Sequence, residues 1–218
     1  MMQECMVLHI WFLMLKTFIS EFSENTYLIS EKKETIIIDP GVKFDELNAY
    51  IKEYELDVKA ILLTHGHVDH IFTLNECVNE FDCPLYIHEN ERDFLFDPNL
   101  NLSSTTYKRI VLSKKDKVIT YKDKDIINMP YNNIKVLYTP GHTRGSSCFH
   151  YKHFLFSGDT IFSDGVGRTD LPTGSQKKLT DSIHKILNTL SNNTVIYPGH
   201  GTFTTVTTQK SSCYLYRR

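Results

Sequence analysis

The stretch "AILLTHGHVDHI", residues 60–71, sets His65, His67, Asp69 and His70 directly after an apolar run. Few backbones aim four such side chains at one point. On a single helix, positions i and i+2 point about 200° apart, so His65 and His67 would diverge. On a single strand, residues 65, 67 and 69 share a face and His70 points away. A strand that ends in a tight turn and runs into a helix removes the conflict. The flanks fit this: "VKAILL" (58–63) reads as a buried strand, and Ile71, Leu74, Val78 and Phe81 recur at helical spacing. Gly66 is expected to supply the backbone freedom of the turn. The four polar residues then lie on a loop at the C-terminal end of a strand, where α/β sheets place their sites. Imidazole with carboxylate suits zinc or iron better than calcium or magnesium.

The rest of the chain supplies strands and turns in quantity. "LKTFIS", "NTYLIS" and "TIIIDPG" read as three short strands. "FDELNAYIKEYEL" (44–56) reads as a helix with Phe44, Leu47, Tyr50, Ile51 and Tyr54 on one face. "PLYIH" (84–88) is a strand, "ERDFLF" a helical turn, and 97–108 a polar loop. "KVIT", "IKVLYT", "SCFHY", "HFLFS" and "TVIYP" are further strands, and a helix is expected over 177–190. Strands followed by helices, twice, favour two packed sheets covered by helices over one doubly wound sheet.

Three later segments repeat the device of a strand followed by a tight turn bearing one ligand-type residue. They are "VLYTPGHT" with His142, "FLFSGDT" with Asp159 and "VIYPGHG" with His200. With the first cluster they make five histidines and two aspartates. That exceeds what one tetrahedral zinc with three protein ligands and a water needs. It is the number suited to two cations sharing a bridge. His88, His150, His153 and His184 lie in no such motif and read as surface or satisfied core residues.

At 218 residues the chain can bury one sizeable core. We expect a single domain over residues 15–218, preceded by an N-terminal extension over 1–14. "CMVLHIWFLML" (5–15) is apolar but too short to span a bilayer, and it lacks the flanks of a signal peptide. An upstream start ahead of Met14, an extra edge strand and a hydrophobic contact all remain open for it. The net charge of −2 and scattered Lys and Arg give no footprint for nucleic acid. Five cysteines without CxxC pairing fit reduced thiols in the cytoplasm, with Cys77 a small buried hydrophobe.

"THGHVDH", "TPGHT", "SGDT" and "YPGHG", with "IIIDPG" upstream, resemble the ordered motifs of the metallo-β-lactamase superfold, over about residues 15–206. The resemblance implies an α+β, four-layer αββα sandwich of two mixed sheets flanked by helices. It implies two divalent metal ions at one edge of the sheets, zinc first, iron or manganese otherwise. His65, His67 and His142 would hold the first metal. Asp69, His70 and His200 would hold the second, Asp159 would bridge them, and Asp39 of "DPG" would support ligand orientation.

Within the superfold, "SGDTIFSDGVGRTDLPTGS" and "VIYPGHGTFTT" are similar to short glyoxalase II-like proteins. This implies hydrolysis of a thioester such as S-lactoylglutathione by a hydroxide held between the metals, with Asp69 accepting its hydrogen bond. Two-zinc β-lactamases usually carry cysteine where Asp159 stands, so antibiotic hydrolysis is not the activity expected. Eighteen residues follow His200, too few for the helical domain that binds glutathione in classical members. Arg168 and Asp170 of "GRTD" are expected to tie down a loop near the site. Arg144, Arg168 and Tyr107 could contact a substrate acid, but for each the bland structural reading is the stronger one. The expected partner is a small-molecule thioester, with no nucleic acid and no membrane. The rival readings are a one-iron persulfide dioxygenase and a non-catalytic scaffold.

Overall fold

Apolar runs in this chain become strands buried on both faces, and that alone stacks the molecule into layers. The computed structural model describes residues 13–129 and 133–217. The expected extension over 1–14 therefore lies outside the described residues, except for Leu13 and Met14, which open an edge strand.

One sheet contains β1 (Leu13–Ile19), β2 (Asn25–Glu31), β3 (Glu34–Ile38), β4 (Asp57–Leu62), β5 (Leu85–His88) and β6 (Val118–Tyr121), in that spatial order. Pairing is antiparallel from β1 to β3 and parallel from β3 to β6. The second sheet contains β7 (Ile126–Ile127), β8 (Ile134–Tyr138), β9 (Ser147–Tyr151), β10 (Phe154–Gly158), β11 (Val195–Pro198) and β12 (Thr204–Thr205). Only β10 and β11 are parallel neighbours there.

Three core layers follow from side-chain alternation. Along β3, Ile37 faces the helices α1 (Phe44–Glu53) and α2 (Leu74–Phe81), with Leu47, Ile51, Leu74 and Val78. Its neighbours Ile36 and Ile38 face the other way, into a layer between the sheets with Val136, Phe149 and Phe156. Leu155 and Ile196 on the outer face of the second sheet meet Leu179, Ile183 and Ile186 of α3 (Gln176–Thr189) and Val206 of α4 (Val206–Ser212). The α+β, four-layer αββα sandwich expected from the motifs is the fold observed.

Several local expectations shift. The first helix ends at Glu53 rather than 56, because Glu55 turns into the left-handed region at φ 51°. Helix α2 starts at Leu74; Ile71 sits in the preceding turn yet packs into the same core. The strands β7 and β12 and the helix α4 are too short or too polar to show a period. Between β2 and β3, Lys32 and Lys33 form a tight turn with φ of 52° and 79°. Cys77, Cys83, Cys148 and Cys213 are buried free thiols, and burial pushes Cys77 up to about 12. Among the described residues no helix is long and apolar enough to cross a membrane.

Candidate metal centre

The strand directions decide where the polar residues gather. β3 and β4 are parallel, so their C-terminal ends, next to Asp39 and to the His65–His70 loop, lie side by side. In the second sheet β8, β10 and β11 all run the same way, because β9 is antiparallel to both of its neighbours. Their C-terminal ends deliver His142, Asp159 and His200 to one edge. The antiparallel β2 brings its N-terminal end, Glu24 and Asn25, to the same edge, where Glu24 bridges to His200.

All seven expected residues converge there. The potential ligand atoms of His65, His67 and His142 lie within 4.8 Å of one another, as do those of Asp69, His70 and His200. His67 Nδ1 and His142 Nε2 are 2.9 Å apart. His200 Nε2 stands 3.2 Å from Asp69 Oδ2. Asp159 lies between the groups: Oδ1 is 3.2 Å from His70 Nε2, and Oδ2 is 3.6 Å from His142 Nε2 and 3.7 Å from His200 Nε2. His65 Nε2, His67 Nε2, His70 Nε2 and Asp159 Oδ1 are buried without a hydrogen-bond partner. Buried polar atoms are rarely left unpaired. Four such atoms on residues of one cluster, each on a ligand-type side chain, fit a metal centre.

The electrostatics divide the cluster. Against burial, Asp69, Asp159 and Asp39 hold His70 well above its ordinary value, and Asp69 and Asp159 raise His200. Each of these two carries a proton that a cation would displace. Burial, reinforced by the surrounding imidazoles, holds His65 well below its ordinary value and His67 at about 3, so both are neutral. Burial pushes Asp159 up, but His70, His142 and His200 outweigh it and hold the carboxyl ionised. Asp69 is likewise lowered, burial being overcome by His70 and His200. Neutral imidazole and ionised carboxylate are the forms that bind a cation.

The supporting contacts are specific. Asp39 Oδ2 accepts from His70 Nδ1 at 2.9 Å and from the Thr64 hydroxyl at 2.6 Å, while Oδ1 accepts from Thr64 N at 2.8 Å. The carboxylate thereby turns Nε2 of His70 toward the cluster. His142 Nδ1 donates to the carbonyl of Arg168 at 2.8 Å. The "GRTD" loop therefore acts through its backbone, while the Arg168 and Asp170 side chains are exposed and pair with each other at 2.7 Å. His200 Nδ1 donates to Ser23 O at 3.0 Å.

Gly66 departs from expectation. It has no positive φ; a Cβ there would stand 2.5 Å from Cβ of Phe94, so close approach explains the glycine, not backbone freedom. Sequence reading also missed Asn25, whose amide donates to Pro198 O at 3.0 Å and Gly201 O at 2.8 Å, fixing the His200 turn. It missed Glu24 and Glu91, two fully buried carboxyls near the site.

A cleft of about 560 Å³ opens over the cluster, walled by Phe22, Val68, Leu102, Phe162, Val166 and Leu171, with Asp69 and Arg168 at its lining. Arg144 and Tyr107 do not line it; they pair with Asp93 and Glu21. His88 is a buried cap: its Nδ1 accepts from Asn90 N, and its ring stacks on Tyr138. His150 is half-buried, and burial lowers it.

Two mixed sheets between helices, with seven ligand-type side chains at the shared edge, define a class of proteins able to bind divalent cations. A family model described as the metallo-beta-lactamase superfamily matches residues 19–200, and the chain belongs to that superfamily. It is 39% identical over 188 residues to a probable metallo-hydrolase, YqgX, of Bacillus subtilis, covering 85% of this chain and 89% of that protein. It is 34% identical over 202 residues to the hydroxyacylglutathione hydrolase GloC of Haemophilus influenzae, covering 89% and 93%. The crystal structure of the BLEG-1 B3 metallo-beta-lactamase superposes with a TM-score of 0.87 at 35% identity, covering 94% of this chain and all of that one.

Proposed function

We propose that this chain is a metal-dependent hydrolase that cleaves a small thioester, with S-2-hydroxyacylglutathione (S-lactoylglutathione) as the first candidate. The observation that carries the reading is the seven-residue cluster itself, which holds four unpartnered buried N and O atoms and lines an open cleft with His67, Asp69, His142, Asp159 and His200. The likeness to GloC supports the thioester.

His65, His67 and His142 would hold one cation, Asp69, His70 and His200 the other, and Asp159 would touch both. When bound, such a pair supplies a water acidic enough to attack at neutral pH and a Lewis acid for the carbonyl oxygen. Asp69 lines the cleft and is placed to accept a hydrogen bond from the attacking water. Asp39 and the Arg168 carbonyl hold His70 and His142 in their ring orientations. The water gives up a proton, passed by way of Asp69 to solvent, as its oxygen bonds to the acyl carbon. The C–S bond breaks, its electron pair leaving on sulfur as a thiolate that needs no proton, because thiols are fairly acidic. The acyl group leaves as a carboxylate, with release of the second proton. No serine or cysteine nucleophile is required, and none lines the cleft among the described residues.

The test joins elemental analysis to an assay with S-lactoylglutathione. The expected result is two equivalents of metal and hydrolysis in the wild type, with both reduced in Asp159→Ala. Unchanged metal content and rate in that variant would overturn the assignment of Asp159. Oxygen uptake with a glutathione persulfide and a single iron would point to the dioxygenase chemistry instead.

A second reading is β-lactam cleavage, favoured by the 35% identity to the BLEG-1 lactamase over nearly the whole chain. A nitrocefin assay on the same preparation separates the two. The thioester reading expects a kcat/KM for S-lactoylglutathione above that for nitrocefin.

A further inference from the structure

Glu91 is a carboxylate in an unusual place. It lies in the 3-10 turn Glu89–Leu95 that follows β5, and its side chain is fully buried. Among the described residues it forms no ion pair; its neighbour Arg144 is committed to Asp93 and to Asn90 O. Instead its two oxygens diverge. Oε1 accepts from the backbone N–H of Gly66 at 3.1 Å, and Oε2 accepts from that of Gly145 at 2.8 Å. Gly66 sits between His65 and His67. Gly145 sits three residues after His142. A Cβ at Gly66 would meet Phe94 at 2.5 Å, and one at Gly145 would meet Glu91 itself at 2.6 Å. Both loops are thus pressed onto this one turn, from opposite sheets.

We propose that Glu91 is a positioning residue: it latches the His65–His67 loop to the His142 loop and so sets the affinity of the first cation site. This rests on reading those three histidines as one site. The two loops are 75 residues apart in sequence, yet His67 Nδ1 and His142 Nε2 must hold a spacing of 2.9 Å. Only an acceptor at both oxygens meets both N–H groups. A glutamine offers one acceptor and one NH₂, which would face an N–H and push one loop away. Burial raises the cost of any unmet group, and it pushes the carboxyl up to about 7 against the pull of Thr143 and the two N–H donors. The carboxyl is retained at this cost because it serves both loops at once.

The test isolates each site with metal-free protein and Co(II) as the probe, reading visible absorption and chelator competition. In a His200→Ala background, which leaves the His65–His67–His142 site, Glu91→Gln is expected to weaken Co(II) binding about 10- to 100-fold, the range seen for residues that orient metal ligands. In a His142→Ala background the same change is expected to alter binding less than about twofold, by the same principle. Glu91→Asp keeps charge and both acceptors on a shorter arm; it is expected to show a smaller loss with the same bias. It carries the test if the glutamine variant does not fold. Unchanged Co(II) affinity at the three-histidine site, or equal losses in both backgrounds, would overturn the proposal. No substrate is used, so a wild type that takes up Co(II) but hydrolyses nothing would sink the hydrolase reading alone.

Discussion

Single residues around the cluster act by aiming others. Asp39 is held at φ 51°, a left-handed conformation that non-glycine residues seldom adopt, and this turns its carboxylate onto Thr64 and His70. Asp39→Asn replaces one acceptor oxygen by an NH₂, and is expected to cost about 10- to 100-fold in metal affinity with little change in fold. Chelator competition against the wild type measures this. Glu91 gives a pH dependence with a definite sign. Its carboxyl is raised from 4.5 to about 7 by burial, so the folded protein binds this proton more tightly than the unfolded chain does. The resulting stability is fully present below about pH 4.5 and is lost as pH rises through about 7. At about 1.36 kcal/mol per unit the loss is on the order of 3 kcal/mol. Urea unfolding of metal-free protein at pH 5 and pH 8 should show the wild type losing that much more than Glu91→Gln.

Secondary-structure elements explain both what was legible in the sequence and what was not. His65, His142, Asp159 and His200 each follow an apolar strand by a few residues, so the strand period announces the ligand and the parallel directions then converge them. Glu91 and Asn25 carry no such mark. Their partners are backbone groups of distant loops, and a backbone N–H or C=O looks the same in every sequence. Gly66 was readable as special but not for the right reason, since its neighbour Phe94 is 28 residues away. The first helix was read too long because Tyr54 continues the apolar period and stacks on Tyr50, while the chain reverses at Glu55. The turn after β11 depends on Asn25 for two hydrogen bonds. Asn25→Ala leaves the Gly201 carbonyl unmet, while Pro198 O keeps the Tyr27 hydroxyl, and is expected to destabilise the protein by about 1 kcal/mol. Hydrogen exchange should show faster opening at Gly199–Gly201, with β5 and β6 unaffected.

At the scale of the whole molecule, the cluster exists only while the two sheets keep their relative position. The layer between them supplies that: Tyr27 packs edge-on against Phe156, its hydroxyl donates to Pro198 O at 2.6 Å, and Phe149 packs against Tyr121. Phe149 is fully buried at the middle of β9. Phe149→Ala is expected to cost about 3–5 kcal/mol, read by urea unfolding. Metal uptake should weaken in parallel at both sites, unlike the one-sided loss expected for Glu91.

Because every ligand-bearing loop leaves the same edge, the hairpin turn between β2 and β3 at the other edge touches none of the ligands. Its contacts include the Lys33 pair with Glu55 and the Lys33 carbonyl, which accepts from Asp57 N at 2.7 Å. Lys32 and Lys33 there occupy left-handed conformations that lysine resists and that Asn-Gly adopts readily. Exchanging the pair for Asn-Gly should relax that bend, raising resistance to urea by roughly 1 kcal/mol, with Co(II) uptake untouched. The sandwich thus has one end where changes are felt as stability alone, and one where they are felt as metal affinity.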